Sequence, residues 1–207
     1  MIKNTYEKYV LPKLLDTCCS TKPINYQREK VVPNASGTVL EIGIGSGLNI
    51  PFYNLSKINK IYGLDPSTQL CKKAIKKAEE MSINIDFLFE GAEEIKLKSN
   101  SIDTVVITYT LCSIPNPMDA LKEIKRVMRP DANILFCEHG IAPDIKVSKW
   151  QNRINPIWGK LFGGCNINRD IPSIISNSGF KVQNLEQMYL PSTPKIVGYN
   201  YWGSASI

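Results

Sequence analysis

The stretch VLEIGIGSG, residues 39–47, decides the fold of this chain. Its first four residues are typical of a buried strand, and Gly43, Gly45 and Gly47 follow as a tight turn. Glycine permits sharp bends and lets a ligand approach the backbone, because no Cβ stands in the way. A strand that leads through such a turn into a helix is typical of nucleotide-binding sites. We therefore expect a ligand to bind at this turn.

Two acidic residues near the turn indicate which kind of nucleotide binds. Asp65 follows the next predicted strand, 22 residues after Gly43, where a carboxylate can accept hydrogen bonds from both hydroxyls of a ribose. Glu41 lies two residues before Gly43, where it would attract a cation. The spacing is GxGxG, and Leu48 replaces the third glycine of a dinucleotide fingerprint. The turn therefore suits S-adenosylmethionine, which carries a ribose, a sulfonium and an ammonium group but no phosphate.

The rest of the chain alternates short apolar strands with helices. Strands are predicted at residues 39–42, 60–64, 85–89, 102–108, 134–138, 181–186 and 196–202, and helices at 67–81, 118–128, 146–162 and 171–178. This alternation predicts an α/β fold with a doubly wound, mostly parallel sheet of seven strands and helices on both faces. In such sheets ligands bind beyond the carboxyl ends of the strands, so candidate site residues are sought there.

The chain divides into an arm and one larger domain. Residues 1–36 are interpreted as a helical arm, with a helix from Ile2 to Asp16 that is kinked or restarted at Pro12 and a second helix from Tyr26 to Val32. Residues 37–207 form the nucleotide-binding domain. Residues 144–169, after the fifth strand, are interpreted as a helical lid.

Composition excludes several classes of protein. The chain has 207 residues, of which 43% are hydrophobic and 21% charged, values typical of one globular domain rather than a disordered chain. No apolar run approaches the roughly 20 residues of a membrane span, and the N-terminus has no apolar signal core. We therefore expect a cytoplasmic protein.

Charge and cysteine content narrow the partners. The net charge of +6 comes without a dense run of Lys and Arg among aromatic residues, so no nucleic-acid partner is expected. A weak contact with a membrane surface remains an alternative, and the sequence does not indicate an oligomeric state. The six cysteines form no CxxC pair, so they are expected to be reduced thiols and no metal site is expected.

Several motifs together resemble class I S-adenosylmethionine-dependent methyltransferases. VLEIGIGSG at 39–47 resembles their first motif and LDP at 64–66 their second. EGAE at 90–93, SIDTVV at 101–106 and RVMRP at 126–130 resemble the segments around the third, fourth and fifth strands. The chain departs from the family at Asp131 and Ala132, where two glycines are usual. This is a change in a turn that should not touch the cofactor.

A narrower resemblance covers nearly the whole chain. TLCS at 110–113, EHG at 138–140, WQ at 150–151, GGCN at 163–166 and NR at 168–169 resemble a branch of small methyltransferases. That branch includes bacterial proteins of the ubiquinone/phospholipid type and the alkyl-thiol S-methyltransferases of animals. The resemblance implies a small-molecule acceptor, with S-methylation of a small thiol or sulfide favoured. N-methylation of a phospholipid headgroup, C-methylation of a quinone precursor and a non-catalytic module that binds the cofactor remain alternatives.

The resemblance also implies a set of site residues. For the cofactor these are Glu41, Gly43, Gly45, Gly47, Asp65, Ala92, Glu93 and Thr108, and Tyr6 of the arm is added as a candidate lid contact. For the acceptor they are Cys112, His139, Asn166 and Arg169. His139, which follows the fifth strand, is expected to orient or deprotonate the acceptor. Trp150 and Trp158 are interpreted as packing residues of the lid.

Overall fold

A seven-stranded sheet lies at the centre of the computed structural model, which describes residues 6–207. Its strands are β1 (Gly37–Ile42), β2 (Ile58–Leu64), β3 (Ile85–Leu88), β4 (Ile102–Thr108), β5 (Met128–His139), β6 (Lys181–Tyr189) and β7 (Tyr199–Ser206). They lie in the order β3-β2-β1-β4-β5-β7-β6. Strands β1 to β5 pair in parallel, and β7 pairs antiparallel with both β5 and β6. The predicted mostly parallel, seven-stranded fold is confirmed.

The strand order places the binding site. The chain runs outward from β1 through β2 to β3, then returns to the other side of β1 with β4. The order therefore reverses between β1 and β4, and the crevice beyond their carboxyl ends is where an open α/β sheet binds its ligand. The glycine turn follows β1 directly, so it lies at this crevice.

Within the described residues, seven α-helices connect and flank the strands. They are α1 (Leu11–Cys19), α2 (Lys22–Val31), α3 (Thr68–Glu80), α4 (Pro117–Val127), α5 (Ile145–Leu161), α6 (Ile171–Asn177) and α7 (Lys195–Gly198). Ser67 caps α3 as its sequence position predicts, since its hydroxyl accepts the N–H of Leu70 at 3.4 Å. No helix in the described part of the chain is long and apolar enough to cross a membrane.

The structure corrects several predicted boundaries. The strand expected at 196–202 begins only at Tyr199, because residues 195–198 form the short helix α7. The strand expected at 134–138 extends over the whole of β5, and the preceding helix ends at Val127 because Met128 is already extended. In the arm, a π-helical turn (Tyr6–Val10) precedes α1, and Pro12 lies in the first turn of that helix. Residues 2–5 of the predicted arm helix lie outside the described residues. The helix predicted from Tyr26 begins earlier, at Lys22.

The central strands are buried because helices cover them. Leu40 of β1, Ile107 of β4 and Phe136 of β5 are fully buried in the main core. Burial of each such side chain contributes about 1.5–3 kcal/mol. These rigid strands fix the positions of the residues that follow them.

Candidate active site

The glycine turn after β1 is held open toward the crevice. Gly43 has a φ of +69°, and a Cβ there would lie 2.3 Å from the side chain of Thr110, so no other residue fits. Gly45 has a φ of +53°, and a Cβ there would meet no atom closer than 3.8 Å. Space is therefore left above Gly45, where a ligand can approach the backbone.

Asp65 lies beside this turn at the end of β2. Its Oδ2 accepts the N–H of Gly45 at 3.0 Å, and its Oδ1 accepts the N–H of Ser67 at 2.7 Å. Burial raises the pKa of this carboxyl, while the two backbone N–H groups oppose the rise. The carboxylate lines both halves of the groove described next, as a ribose-binding acid must.

The crevice forms a groove in two adjoining parts. The first, of about 160 Å³, lies under the glycine turn and is lined by Gly43, Gly45 and Thr108 among others. The second, of about 280 Å³, lies beyond Asp65 and is lined by Ala92 and Glu93 among others. These predicted cofactor residues are therefore brought together around one groove.

A buried polar network forms the floor of the first part. Arg28 Nη1 donates to the Asn49 side-chain oxygen at 2.7 Å and to the Thr108 hydroxyl at 2.6 Å. Asn49 Nδ2 donates to one carboxylate oxygen of Glu41 at 2.9 Å, and the Tyr53 hydroxyl donates to the other at 2.6 Å. Glu41 therefore contributes its charge from beneath the turn, with both oxygens already bonded within the chain.

Arg28 is a candidate cofactor residue that the sequence did not reveal. It lies on α2, is 3% exposed and lines the first part of the groove. Its Nε is buried and has no hydrogen-bond partner among the described residues. Because the Arg28 guanidinium carries a positive charge at the groove, it favours an anionic group of a ligand there. No spacing rule marks this residue, because the arm reaches the groove only through the tertiary fold.

The arm covers the groove through residues other than Tyr6. Leu15 of α1 lines both parts of the groove. Asp16, also on α1, accepts the Ser46 hydroxyl at 2.5 Å and pairs with Lys73 of α3 at 2.7 Å. Tyr6 instead donates its hydroxyl to the carbonyl of Leu161 at 2.5 Å, and it is not among the residues that line the groove.

Gly47 also lies outside the groove lining. A Cβ there would lie 2.6 Å from Ile50 and 3.0 Å from the backbone of Ala74 in α3. Its carbonyl accepts Lys77 Nζ at 2.9 Å. Gly47 therefore allows α3 to pack closely against the turn and serves the cofactor site only through that packing.

The groove fits S-adenosylmethionine group by group. Asp65 would accept the ribose hydroxyls, and the wider part lined by Ala92 would hold the adenine. The positive charge of Arg28 would favour the carboxylate of the methionine moiety, and Glu41, which also lines the groove, would favour its ammonium when ionised.

A third, apolar cavity of about 380 Å³ adjoins the groove. It shares Leu15, Cys19, Tyr109 and Ser113 with the first part of the groove. Trp158 lines it and stacks on Phe162, whereas Trp150 lies outside, 56% exposed. Among the described residues that line this cavity, none is Lys, Arg, Asp or Glu. The cavity therefore suits a small apolar acceptor.

Among the polar groups of this cavity, two thiols and an imidazole form a cluster. His139 Nε2 lies 3.2 Å from Cys165 Sγ, and Cys165 Sγ lies 3.8 Å from Cys112 Sγ. The Trp158 indole N–H donates to Cys165 Sγ at 3.4 Å. The contact with Cys112 lowers the pKa of Cys165, and the positive charge of His139 lowers it further, against the effect of burial. Cys112 and His139, two predicted acceptor residues, thus lie together with Cys165, which was not predicted as an acceptor residue.

The other two predicted acceptor residues are placed differently. Arg169 Nη1 donates to the carbonyls of Leu111 and Ile114, and Asn166 Nδ2 donates to the carbonyl of Cys112 at 3.1 Å. Neither side chain is among those that line the acceptor cavity. The expectation of direct contact with the acceptor is therefore corrected, since both side chains are bonded to backbone carbonyls and hold the 111–114 turn.

Comparison with known proteins identifies the family of this chain. The sequence pattern of a family described as a methyltransferase domain matches residues 40–136. Thiol S-methyltransferase TMT1A of Homo sapiens is 30% identical over 178 residues, which are 84% of this chain and 72% of the relative. Phosphatidylethanolamine N-methyltransferase of Cereibacter sphaeroides is 30% identical over 105 residues, 50% of this chain and 51% of the relative.

A solved structure has the same fold. A methyltransferase from Aquifex aeolicus, described as dependent on S-adenosylmethionine, superposes with a TM-score of 0.65 at 19% identity, covering 95% of this chain and 98% of that one. The chain belongs to the class I S-adenosylmethionine-dependent methyltransferases. It is an enzyme of that class, and S-adenosylmethionine is its cofactor.

Proposed function

We propose that this enzyme methylates the sulfur of a small apolar thiol or of sulfide. The observation that carries the proposal is the cavity of about 380 Å³, which adjoins the cofactor groove, has no Lys, Arg, Asp or Glu among the described residues that line it, and holds a cluster of thiols and imidazole. A thiol presents an apolar body and one soft polar atom, which matches that lining. The likeness to a human thiol S-methyltransferase supports the same acceptor class.

The reaction needs little acid–base help from the chain. The cofactor supplies a methyl group on a positively charged sulfur. The acceptor sulfur forms a bond to that methyl carbon while the old carbon–sulfur bond breaks, and its electron pair leaves on a neutral thioether. An ordinary thiol, with a pKa near 8.5, is a few per cent ionised at neutral pH, so its proton can leave to water beforehand.

The chain's contribution is alignment and exclusion of water. Tyr109 and Leu15 line both the groove and the cavity, so they border the passage through which acceptor and cofactor would meet. Alignment of reacting groups is worth up to about 7–11 kcal/mol of a barrier. Leu15 belongs to the arm, which covers the groove, and His139, at the carboxyl end of β5, would orient the acceptor sulfur.

The rival acceptors match the cavity less well. A phospholipid headgroup carries a phosphate, yet no Lys or Arg is among the described residues that line the cavity. A ring carbon of a quinone precursor calls for a stronger base, and no carboxylate lines the cavity either. The phospholipid relative matches only half of this chain.

An acceptor screen tests the proposal. Purified protein and S-adenosylmethionine would be mixed with sulfide, methanethiol, longer alkyl thiols, phosphatidylethanolamine and a demethylated quinone, and S-adenosylhomocysteine would be measured. We expect turnover with the thiols alone. The Asp65→Ala variant, which lacks the ribose acid, serves as the background control. Turnover with lipid or quinone and not with thiols would overturn the proposed acceptor.

A further inference from the structure

The cluster of Cys112, His139 and Cys165 has the composition of a metal site. We propose that these three side chains bind one zinc ion, with its fourth coordination position directed into the acceptor cavity. All three line that cavity, and one ligand atom from each lies within 4.8 Å of the others. Cys112 follows β4, His139 ends β5 and Cys165 follows α5, so no short sequence motif contains all three.

The spacing of the ligand atoms fits tetrahedral zinc. Zn–S bonds of about 2.3 Å and Zn–N bonds of about 2.0–2.1 Å, at tetrahedral angles, separate two sulfurs by about 3.8 Å and a sulfur from a nitrogen by about 3.5 Å. Here Cys112 Sγ and Cys165 Sγ are 3.8 Å apart, and Cys165 Sγ and His139 Nε2 are 3.2 Å apart. The third pair, Cys112 and His139, has its ligand atoms within 4.8 Å of each other, so the imidazole would have to move toward Cys112 by up to about 1.3 Å to admit the ion.

The backbone that carries Cys112 and Cys165 is fixed without the ion. Glu138 accepts the N–H groups of Thr110, Leu111 and Cys112 at 2.6, 2.8 and 3.3 Å. The N–H of Asn166 donates to the carbonyl of Cys112 at 2.9 Å, which joins the two cysteine-bearing loops. The site is therefore organised in advance, and binding would not have to fold it.

The ligand set selects a soft ion with an open position. Thiolate and imidazole favour zinc over magnesium or calcium, which take oxygen ligands. Three protein ligands with one free position are typical of catalytic rather than structural zinc. The Trp158 N–H already directed at Cys165 Sγ is the kind of outer contact that steadies a metal ligand.

The open position has a use that rests on the proposed function. A thiol that enters the cavity would bind zinc as the thiolate and release its proton to solvent, because a metal ion deprotonates a coordinating thiol. The same ion would then hold the acceptor sulfur beside the groove. No oxidation or reduction takes place in this step.

Cobalt binding tests the site on the wild-type protein. Reduced protein would be freed of metal with a chelator and titrated with Co²⁺, followed by competition with Zn²⁺. We expect one ion per chain, visible bands of tetrahedral cobalt and a near-ultraviolet thiolate-to-cobalt band, all removed by zinc. Absence of these bands in the folded wild-type protein would overturn the proposal. A disulfide between Cys112 and Cys165 that persists under reducing conditions would also overturn it, because neither thiol could then bind a metal.

Two variants locate the ion. Cys165→Ser should weaken cobalt binding by at least about tenfold and remove part of the charge-transfer band, whereas Cys18→Ser, an exposed thiol at the same cavity, should leave both unchanged. Equal losses in both variants would contradict the assignment. If Cys165→Ser does not fold, as judged by circular dichroism, His139→Ala replaces it.

The fourth position is tested without turnover. Ethanethiol added to the cobalt protein, with no cofactor present, should shift the thiolate-to-cobalt band, because a further sulfur enters the coordination sphere. A spectrum that stays the same would show that the open position does not face the cavity. Because no methyl transfer is measured, this experiment can support the metal site even when the proposed acceptor fails. Conversely, the acceptor screen on protein without metal can support the acceptor even when the metal site fails.

Discussion

At the residue scale, two buried carboxylates flank the glycine turn and are held in different ways. Asp65 receives two backbone N–H groups, from Gly45 and Ser67. Glu41 receives two side chains, Asn49 and Tyr53, and burial raises its pKa to about 7. Asp65 is thus held in position by the backbone, whereas the charge of Glu41 depends on pH near neutrality.

Replacement of Asp65 by alanine should weaken cofactor binding roughly 10- to 100-fold. Hydrogen bonds to a charged group are worth about 1.5–3 kcal/mol, and each 1.4 kcal/mol is tenfold in affinity. Calorimetric titration with S-adenosylhomocysteine measures the change. Asp86→Ala, which removes an exposed carboxylate paired with Lys60, is the matched control and should bind as the wild type does. Equal affinity of the two variants would refute the assigned role.

Glu41 should make the stability of the ligand-free protein depend on pH. Its pKa is about 7 in the folded chain against an ordinary 4.5, because burial opposes ionisation, with Asp65 adding repulsion and Arg28 attraction. The folded state therefore holds the proton longer, and this contribution to stability is lost as the pH rises through 7. Between about pH 5.5 and about pH 8 the loss is about 2 kcal/mol.

Urea unfolding of the wild type and of Glu41→Gln measures this contribution. Other groups titrate in both proteins, so the quantity of interest is the difference between their unfolding free energies at each pH. That difference should change by about 2 kcal/mol in favour of the wild type at the acidic end. A difference that is the same at every pH would mean that Glu41 keeps its ordinary pKa.

At the element scale, the sequence predicted helices and strands that have a contiguous pattern, but it did not predict how the elements pack against one another. Ser67 and the apolar runs of β1, β2 and β4 marked their elements correctly, because local chemistry specifies a cap or a buried strand. Ile196 was assigned to the last strand, yet it lies in α7, since a four-residue helix leaves no periodicity to read. Likewise, Tyr6 was chosen as the arm's contact, whereas Leu15 and Asp16 reach the groove.

The arm should control how fast the cofactor leaves. Asp16 on α1 bonds to Ser46 of the glycine turn and to Lys73 of α3, and so fastens the arm across the groove. Asp16→Ala removes both contacts, worth about 0.5–1.5 kcal/mol in all, so release should become roughly two- to tenfold faster. Stopped-flow displacement measures the rate. Glu80→Ala, which breaks an exposed pair with Lys76, should not alter it, and an unchanged rate in Asp16→Ala would exclude the arm as a cover.

Gln151 should be essential to the seating of α5. It is fully buried, accepts the N–H of Ala142 at 2.8 Å and donates to the carbonyls of Gly140, Ile167 and Ile196 at 2.9–3.0 Å. Gln151→Leu leaves these buried groups unpaired and should lower the free energy of unfolding by about 3 kcal/mol.

Urea titration at neutral pH checks that value. Gln183→Leu offers the matched control, because Gln183 is exposed on β6 and bonds only to Ser206 among the contacts described. Its unfolding free energy should stay within about 0.5 kcal/mol of the wild type. If Gln151→Leu is equally mild, α5 is held by its apolar contacts instead.

At the scale of the whole molecule, the site is assembled from segments that are far apart in sequence. The turn at Gly43 and the acid at Asp65 follow the consecutive strands β1 and β2, which are connected by 3₁₀ turns and not by the helix expected after the glycines, and their spacing alone predicted the cofactor. Arg28 reaches the same groove from the arm, and Cys112 and Cys165 meet across 53 residues. Such groupings follow from the strand order, which reverses between β1 and β4. A single sequence does not show which distant segments this order brings together.

Cofactor binding should stabilise the whole domain and do so selectively. A ligand at 100 times its dissociation constant adds about 2.7 kcal/mol to the free energy of unfolding. For a domain of this size each kcal/mol raises the melting temperature by about 2–4 °C, so S-adenosylmethionine should raise it by about 5–11 °C. NAD⁺ at the same concentration shares the adenosine but adds a pyrophosphate near Glu41, and it should shift the melting temperature by less than about 1 °C. Differential scanning fluorimetry of the protein with S-adenosylmethionine and with NAD⁺ measures both shifts in melting temperature. Comparable shifts would mean that the GxGxG turn and Glu41 do not discriminate against phosphate.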